Sequence, residues 1–239
     1  MTSVLVTRAE PDASDFAAAC RAAGLIPILS PVMRIEIEKT SVDLAGVGAI
    51  AFTSANGVRA FAANSAERAL PVFAVGPVTA AAAEAAGFKD IHAAGGDVAA
   101  LASHIASESA LGGKAILHVA GADRAGDLIL ALKSEGIAAR RQTLYRAEAE
   151  DALSAEAVAA LKDSDGLWVT LFSPRTARLF LGLAEKAGLL PQLSGARAVC
   201  LSEAVAEAAS KAAWGEIAVA PDHTGESVIG TICEAERRA

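Results

Sequence analysis

Residues 4–36 read VLVTRAEPDASDFAAACRAAGLIPILSPVMRIE, and residues 116–148 read ILHVAGADRAGDLILALKSEGIAARRQTLYRAE. Aligned without a gap, they share Leu5/Leu117, Asp15/Asp127, Gly24/Gly136, Arg34/Arg146 and Glu36/Glu148. Each reads as an apolar strand, a polar turn, an Ala/Leu-rich helix ending at glycine, and a second strand. A second pair follows: AIAFTS at 49–54 and WVTLFS at 168–173 are buried-strand runs that end in serine and open a helix. One set of α/β units is therefore followed by its repeat. This predicts two similar parallel-sheet α/β domains with a cleft between them, and the cleft is the place to look for function.

Outward from the repeat, short apolar runs alternate with helical patterns of roughly ten residues, the signature of βαβ units. The spacing predicts strands near 3–8, 26–33, 48–53, 71–75, 90–93, 115–119, 138–145, 166–172, 197–201 and 216–220. It predicts helices near 12–23, 56–65, 77–86, 97–107, 125–135, 154–162, 175–187, 203–213 and 225–236. Gly24, Gly87 and Gly136 end helices, and Ser154 is a plain serine cap without the glutamate of a capping box. The repeat divides the ten strands into two sheets of about five. Segments 32–38 (VMRIEIE) and 142–150 (QTLYRAEAE) alternate apolar and charged residues, as half-exposed antiparallel strands do. They are expected to pair as a two-strand linker. Domain 1 is then discontinuous, 1–36 plus 149–239, and domain 2 is 37–148. Ordinary edge strands are the alternative for these two segments.

Composition narrows the function. The chain has 239 residues, 53% hydrophobic and 21% charged, enough for two cores. A net charge of −7, the absence of a basic run and 4% aromatics argue against nucleic acid as a partner. Cys20, Cys200 and Cys233 are isolated, which fits a reduced, cytoplasmic setting, and Cys20 and Cys200, in apolar helix and strand patterns, read as inert core residues. No run reaches membrane length and no export signal opens the chain, so no membrane partner is expected.

In open parallel sheets ligands bind beyond the carboxyl ends of strands, where helix N-termini offer free N–H groups. Those positions here are Thr7-Arg8, Thr53-Ser54-Ala55-Asn56, Gly76-Pro77, Gly95-Gly96-Asp97, Gly121-Ala122-Asp123, Ser173-Pro174-Arg175, Ser202-Glu203 and Asp222-His223-Thr224. Small residues, hydroxyls and free helix N–H groups collect there, and at the helix starts after Ser54, Gly76, Ser173 and Ser202 small residues cluster while basic side chains do not, which predicts an anionic ligand held mainly by backbone. For any one position simple helix capping is the stronger reading; for the set, ligand binding is. No dinucleotide, P-loop, nucleophile-elbow or metal-ligand spacing occurs, and His92, His104, His118 and His223 fit none. His118 alternates into an apolar strand and reads as a satisfied core histidine. Tyr145, the single tyrosine, lies in the returning linker segment. Its phenol can assist a proton transfer, although on chemistry alone a packing tyrosine is the stronger reading.

The motifs VLVTRAE, AFTSANGVRAF, FAVGPVTAAAAEAAGF, the Gly121 turn, TLYRAE, LFSPRTARLF, CLSEAVAEAA and IAVAPDHTGESVIGTI, in that order, resemble the uroporphyrinogen-III synthase family over nearly the whole chain. The resemblance implies two flavodoxin-like domains joined by a two-strand ladder. It implies that the chain cyclises hydroxymethylbilane, loses water and inverts the D ring to give uroporphyrinogen III. It implies no cofactor and no metal. Tyr145 falls on the family's catalytic tyrosine candidate. Arg8, Ser54, Gly76, Thr79, Gly121 and Ser173 fall on motifs of the family, and Thr53, Asn56, Arg175, Ser202 and Thr224, from the strand-end positions above, complete the expected substrate-binding set. Two turns depart from the family pattern: Ala120-Gly121 replaces Arg-Gly, and Ser202-Glu203-Ala204-Val205 replaces Gly with paired threonines. At both, recognition is expected to fall to the backbone. The expected partner is the tetrapyrrole substrate, bound by a monomer that makes at most a transient contact with the preceding pathway enzyme. The competing reading is a two-domain small-anion binding protein without catalysis.

Overall fold

The repeat is distributed across two sheets. The computed structural model describes residues 2–108, 113–123, 127–163 and 166–238. In chain order the elements are β1 (Ser3–Val6), α1 (Asp12–Ala22), β2 (Ile26–Leu29), β3 (Met33–Ile37), β4 (Val47–Phe52), α2 (Ala55–Asn64) and β5 (Val72–Ala74). Then come α3 (Pro77–Ala85), β6 (Ile91–Ala93), α4 (Val98–Ser107), β7 (Ala115–Gly121), α5 (Leu128–Ser134), β8 (Ala139–Ala149) and α6 (Ala155–Lys162). The last are β9 (Trp168–Leu171), α7 (Pro174–Lys186), a 3-10 turn (Pro191–Gly195), β10 (Arg197–Cys200), α8 (Glu203–Ala209), β11 (Glu216–Val219) and α9 (Gly225–Arg238). One sheet has the order β11-β10-β9-β1-β2, the other β3-β8-β7-β4-β5-β6. Counted from the repeat, with β1-β2 equivalent to β7-β8 and β9-β10-β11 equivalent to β4-β5-β6, both sheets have the flavodoxin order 2-1-3-4-5. Each sheet therefore joins the first half of one repeat to the second half of the other.

By contacts the chain forms two compact units, Met1–Arg34 with Glu148–Ala239, and Ile35–Ala147. The chain leaves the first along β3 and returns along β8, and these strands are hydrogen-bonded neighbours. Glu38 N donates to Leu144 O at 2.8 Å and Glu150 N to Val32 O at 3.0 Å, so the pair is antiparallel. The spacing predicts a single strand over 26–33. Instead β2 ends at Leu29, Ser30-Pro31-Val32 intervenes, and β3 joins the other sheet. Pro31 has no N–H to continue a ladder. The overlapping predicted segments 138–145 and 142–150 are one 11-residue strand, β8; with β3 separate from β2, the strands number eleven among the described residues. The helix predicted over 203–213 stops at Ala209, and Trp214 Nε1 caps the Ala209 carbonyl at 2.9 Å. The helix predicted over 125–135 begins at Leu128; residues 124–126 lie outside the described residues. Ser154 caps α6 as a plain cap, its Oγ accepting from Ala157 N at 3.2 Å.

Each sheet is packed on both faces. In the first unit, Phe16 and Cys20 of α1 and Val228, Ile229 and Ile232 of α9 cover one face, and Ala177, Phe180 and Ala184 of α7 with Val205 of α8 contribute to the other. In the second, Val58 and Phe61 of α2, Ala83 of α3 and Phe88 form one side. Leu101 and Ile105 of α4 with Leu128 and Leu132 of α5 form the other. Phe52, Phe61 and Phe88 pack with centroids 5.8–6.0 Å apart. Burial pushes the Cys20 thiol up to about 11 and the Cys200 thiol up to about 12, so neither is a nucleophile. Among the described residues no helix is long and apolar enough to cross a membrane.

Candidate functional site

A flavodoxin-order sheet opens a crevice where the strand order reverses. In the second unit this point lies between β4 and β7, because α2 and α3 lie on one face and α4 and α5 on the other. A cavity of about 770 Å³ sits there. Thr53 and Ser54 beyond β4, Gly96 and Asp97 before α4, His118, Ala120 and Gly121 of β7, Leu128 to Leu130 and Lys133 of α5, and Arg141 and Tyr145 of β8 contribute to its wall.

Four of the predicted site residues meet here: Thr53, Ser54, Gly121 and Tyr145. Ser54 Oγ caps α2 by accepting from Asn56 N at 3.0 Å. Tyr145 lies opposite Gly121 across a register shift that follows Ala120, and its carbonyl accepts from Ala122 N at 2.8 Å, fixing the turn after β7. Its ring runs over the Gly121 α-carbon, with Gly57 of α2 also nearby. A glycine at 121 is thus a steric requirement of the tyrosine's position. Asn56, Gly76 and Thr79 do not line this cavity. Asn56 Oδ1 accepts from Arg59 at 2.8 Å, Gly76 caps α3, and Thr79 is buried in the first turn of α3.

Two features depart from expectation. Basic side chains do reach this site: Arg141 and Lys133 both line it. Arg141 lies well before the carboxyl end of β8, outside the strand-end positions, but its guanidinium reaches along the sheet and donates to the Gly121 carbonyl. Second, the N-termini of α4 and α5 are already filled. Asp97 accepts from Ala100 N at 2.7 Å and Asp127 from Leu130 N at 3.1 Å. A carboxylate on the helix dipole takes the place an anionic ligand would occupy. α2, opened by a serine, and α3, opened by Gly76, keep that capacity.

His118 is the residue the sequence pattern misjudges. It is buried, at 7% exposure, but is not satisfied. Its Nε2 lies 3.2 Å from Thr53 Oγ1, bridging β7 to the end of β4, while Nδ1 has no partner among the described residues. Burial, reinforced by the Arg141 charge and partly offset by Asp127, lowers its pKa to about 4. The imidazole is neutral near pH 7. Strand alternation revealed its burial, but only the fold reveals that its neighbour is a cavity.

The remaining predicted residues lie in the first unit, at the corresponding strand ends. Arg8 follows β1; its guanidinium bonds Asp12 at 3.2 Å and lies 4.4 Å from the Phe172 ring centre. Ser173 caps α7, its Oγ accepting from Thr176 N at 3.0 Å, and Arg175 follows it. Ser202 opens α8 without a side-chain cap bond, and Thr224 Oγ1 accepts from Ser227 N at 3.1 Å.

The model of the family described as uroporphyrinogen-III synthase HemD matches residues 14–230. No curated protein matches the chain. Among solved structures, uroporphyrinogen-III synthetase from Helicobacter pylori superposes with a TM-score of 0.67 at 17% identity, over 98% of this chain and 99% of that one. A mutant uroporphyrinogen III synthase from the extremely thermophilic bacterium Thermus thermophilus superposes with a TM-score of 0.53 at 17% identity, over the full length of both. These likenesses carry the fold, and the family model spans the sequence of both units: this chain belongs to the uroporphyrinogen-III synthase family.

Proposed function

We propose that this chain is a hydro-lyase of tetrapyrrole biosynthesis that closes hydroxymethylbilane into uroporphyrinogen III with loss of water and inversion of the D ring. The observation that carries this reading is the family match over residues 14–230. The cavity of the second unit supports it. Its apolar wall (Val75, Val98, Leu128, Ile129, Leu130) suits pyrrole rings, and Arg141, Lys133 and Ser54 offer donors to the substrate's carboxylates.

The pyrrole's own electrons expel the hydroxyl of the hydroxymethyl group. The protein's part is to fold the chain so that the D ring is attacked at its substituted carbon through a spiro intermediate, which is catalysis by positioning. Help to the departing hydroxyl needs a proton donor. His118 is neutral near pH 7 and does not serve as an acid of matched strength. Tyr145, on the cavity wall, carries the hydroxyl that takes that role.

The test is to give purified protein hydroxymethylbilane and resolve the product isomers. Isomer III is expected above the spontaneous background. Isomer I alone sinks the reading, and tight binding without turnover favours an anion-binding protein.

A further inference from the structure

On the α4 side of the second unit, at the end of its sheet opposite β3, the fold gathers three metal-ligating side chains. His92 comes from β6, the edge strand; His104 from the last turn of α4; Glu108 from its C-cap. One donor atom from each lies within 4.8 Å of the other two, and all three residues are half-buried. His104 and Glu108 are four apart, so the helix brings them to one side, while the β6-α4 connection brings His92 alongside. None of the three lines the cavity described above.

We propose that His92, His104 and Glu108 form a site for a divalent metal of zinc type. Two imidazoles and one carboxylate form a donor set that zinc takes with water as fourth ligand, at bonds of about 2.0–2.2 Å. Calcium and magnesium, which want oxygen ligands, are disfavoured. Two further observations point the same way. Asp90 Oδ1 lies 2.9 Å from His92 Nε2. A carboxylate there takes the Nε2 proton as its hydrogen bond and leaves the Nδ1 lone pair for a metal, the usual outer partner of a ligating histidine. Phe73 stacks on the His92 ring at 5.0 Å and meets the His104 ring edge-on at 6.0 Å, which restricts both imidazoles. Tetrahedral ligands stand about 3.4 Å apart, so closing the site needs an approach of up to about 1.4 Å, to which a glutamate at a helix end can contribute.

The experiment titrates chelator-treated full-length protein with Zn²⁺ against a chromophoric chelator, and with Co²⁺ followed by its visible absorption. One equivalent of Zn²⁺ is expected, with a Co²⁺ band of low coordination number and no competition from Mg²⁺. His104→Asn and Glu108→Gln should each remove that binding, and Asp90→Asn should weaken it ~10-fold or more. Circular dichroism of the metal-free variants checks their fold. If His104→Asn does not fold, Glu108→Gln, altered at a helix end, asks the same question. Absence of stoichiometric Zn²⁺ binding, or binding unchanged in the folded variants, overturns the site. Binding unchanged in Asp90→Asn overturns the orientation assigned to His92.

Discussion

A β-carbon placed on Gly121 would stand 2.8 Å from both Cε2 and Cζ of Tyr145 and 3.1 Å from its hydroxyl. The tyrosine reaches the cavity wall across a backbone that has no side chain in its way. A β-carbon on Gly57 would lie 3.9 Å from the Tyr145 ring and 3.1 Å from the Val119 carbonyl. Small residues on a strand end and on a helix thus shape one slot for one aromatic ring.

Gly121→Ala should therefore displace that ring, because contacts under 3.0 Å force a shift. Overpacking of this kind costs about 1–3 kcal/mol, and a misplacement of about 1 Å can cost ~10²-fold in rate. Gly121→Val should act in the same direction and more strongly. Isomer-resolved turnover together with urea denaturation separates the two effects. Wild-type turnover in Gly121→Val would remove the link between this glycine and the site.

The strands and helices were legible in the sequence because each carries its own apolar period, and several helices carry their own cap. Ser54, Ser154 and Ser173 all cap the helices they precede. Two sheets were legible from the repeat. The exchange of halves between them follows from reading 32–38 and 142–150 as the crossings between domains; that a crossing strand also joins a sheet did not, since the pattern of a strand does not say which neighbour it takes. β3 illustrates this: four residues after β2 it enters the other sheet. The site was legible where it lies at strand ends, as with Thr53 and Gly121, and illegible where a long side chain travels, as with Arg141. The Asp97 and Asp127 caps were on view as residues. That they fill the helix ends appears only from their hydrogen bonds.

The buried imidazole makes a prediction about acid. The His118 pKa is about 4 in the fold against an ordinary 6.5. Above pH 6.5 it is neutral in both states and adds no pH dependence. Between pH 6.5 and 4 the unfolded chain binds the proton and the folded chain resists it, so stability falls with pH, by about 3 kcal/mol across the interval. His118→Gln removes this slope. Urea denaturation at about pH 7, 5.5 and 4.5 should show the variant losing less stability than the parent. Parallel curves would mean that the ring is protonated without cost.

In the first unit Glu236 of α9 gathers three donors from elsewhere in the fold. Thr2 Oγ1, Trp168 Nε1 at 3.1 Å and Arg197 Nη1 at 2.7 Å all point to its carboxylate. The Thr2 hydrogen bond foremost, then Trp168 and the Arg197 charge, hold its pKa below the usual range. A depressed carboxylate adds stability above its unfolded pKa and loses it as pH falls through the folded value. Glu236→Ala leaves the indole N–H of the fully buried Trp168 without its acceptor. The expected loss is about 2 kcal/mol, read by chemical denaturation at pH 7, with a shallower acid limb below about pH 5. An unchanged midpoint would show that water replaces the carboxylate.

Tyr145→Phe isolates the hydroxyl. The ring that fills the slot beside Gly121 and Gly57 stays, so folding stability should move by less than about 1 kcal/mol. Binding should also change little, because the apolar wall and the basic residues remain. What goes is the proton donor proposed for the departing hydroxyl, an interaction made in the transition state, and its loss should appear in kcat. General-acid help is worth ~10²-fold or more. The pyrrole's electrons drive much of this reaction unaided, so the fall should lie near that lower end, with isomer III still the product. His118, held neutral by burial, cannot take over near pH 7. Stopped-time assays at saturating hydroxymethylbilane measure kcat and resolve the isomers together. Full activity in the Phe variant would leave Tyr145 a packing residue and return the reaction to positioning alone.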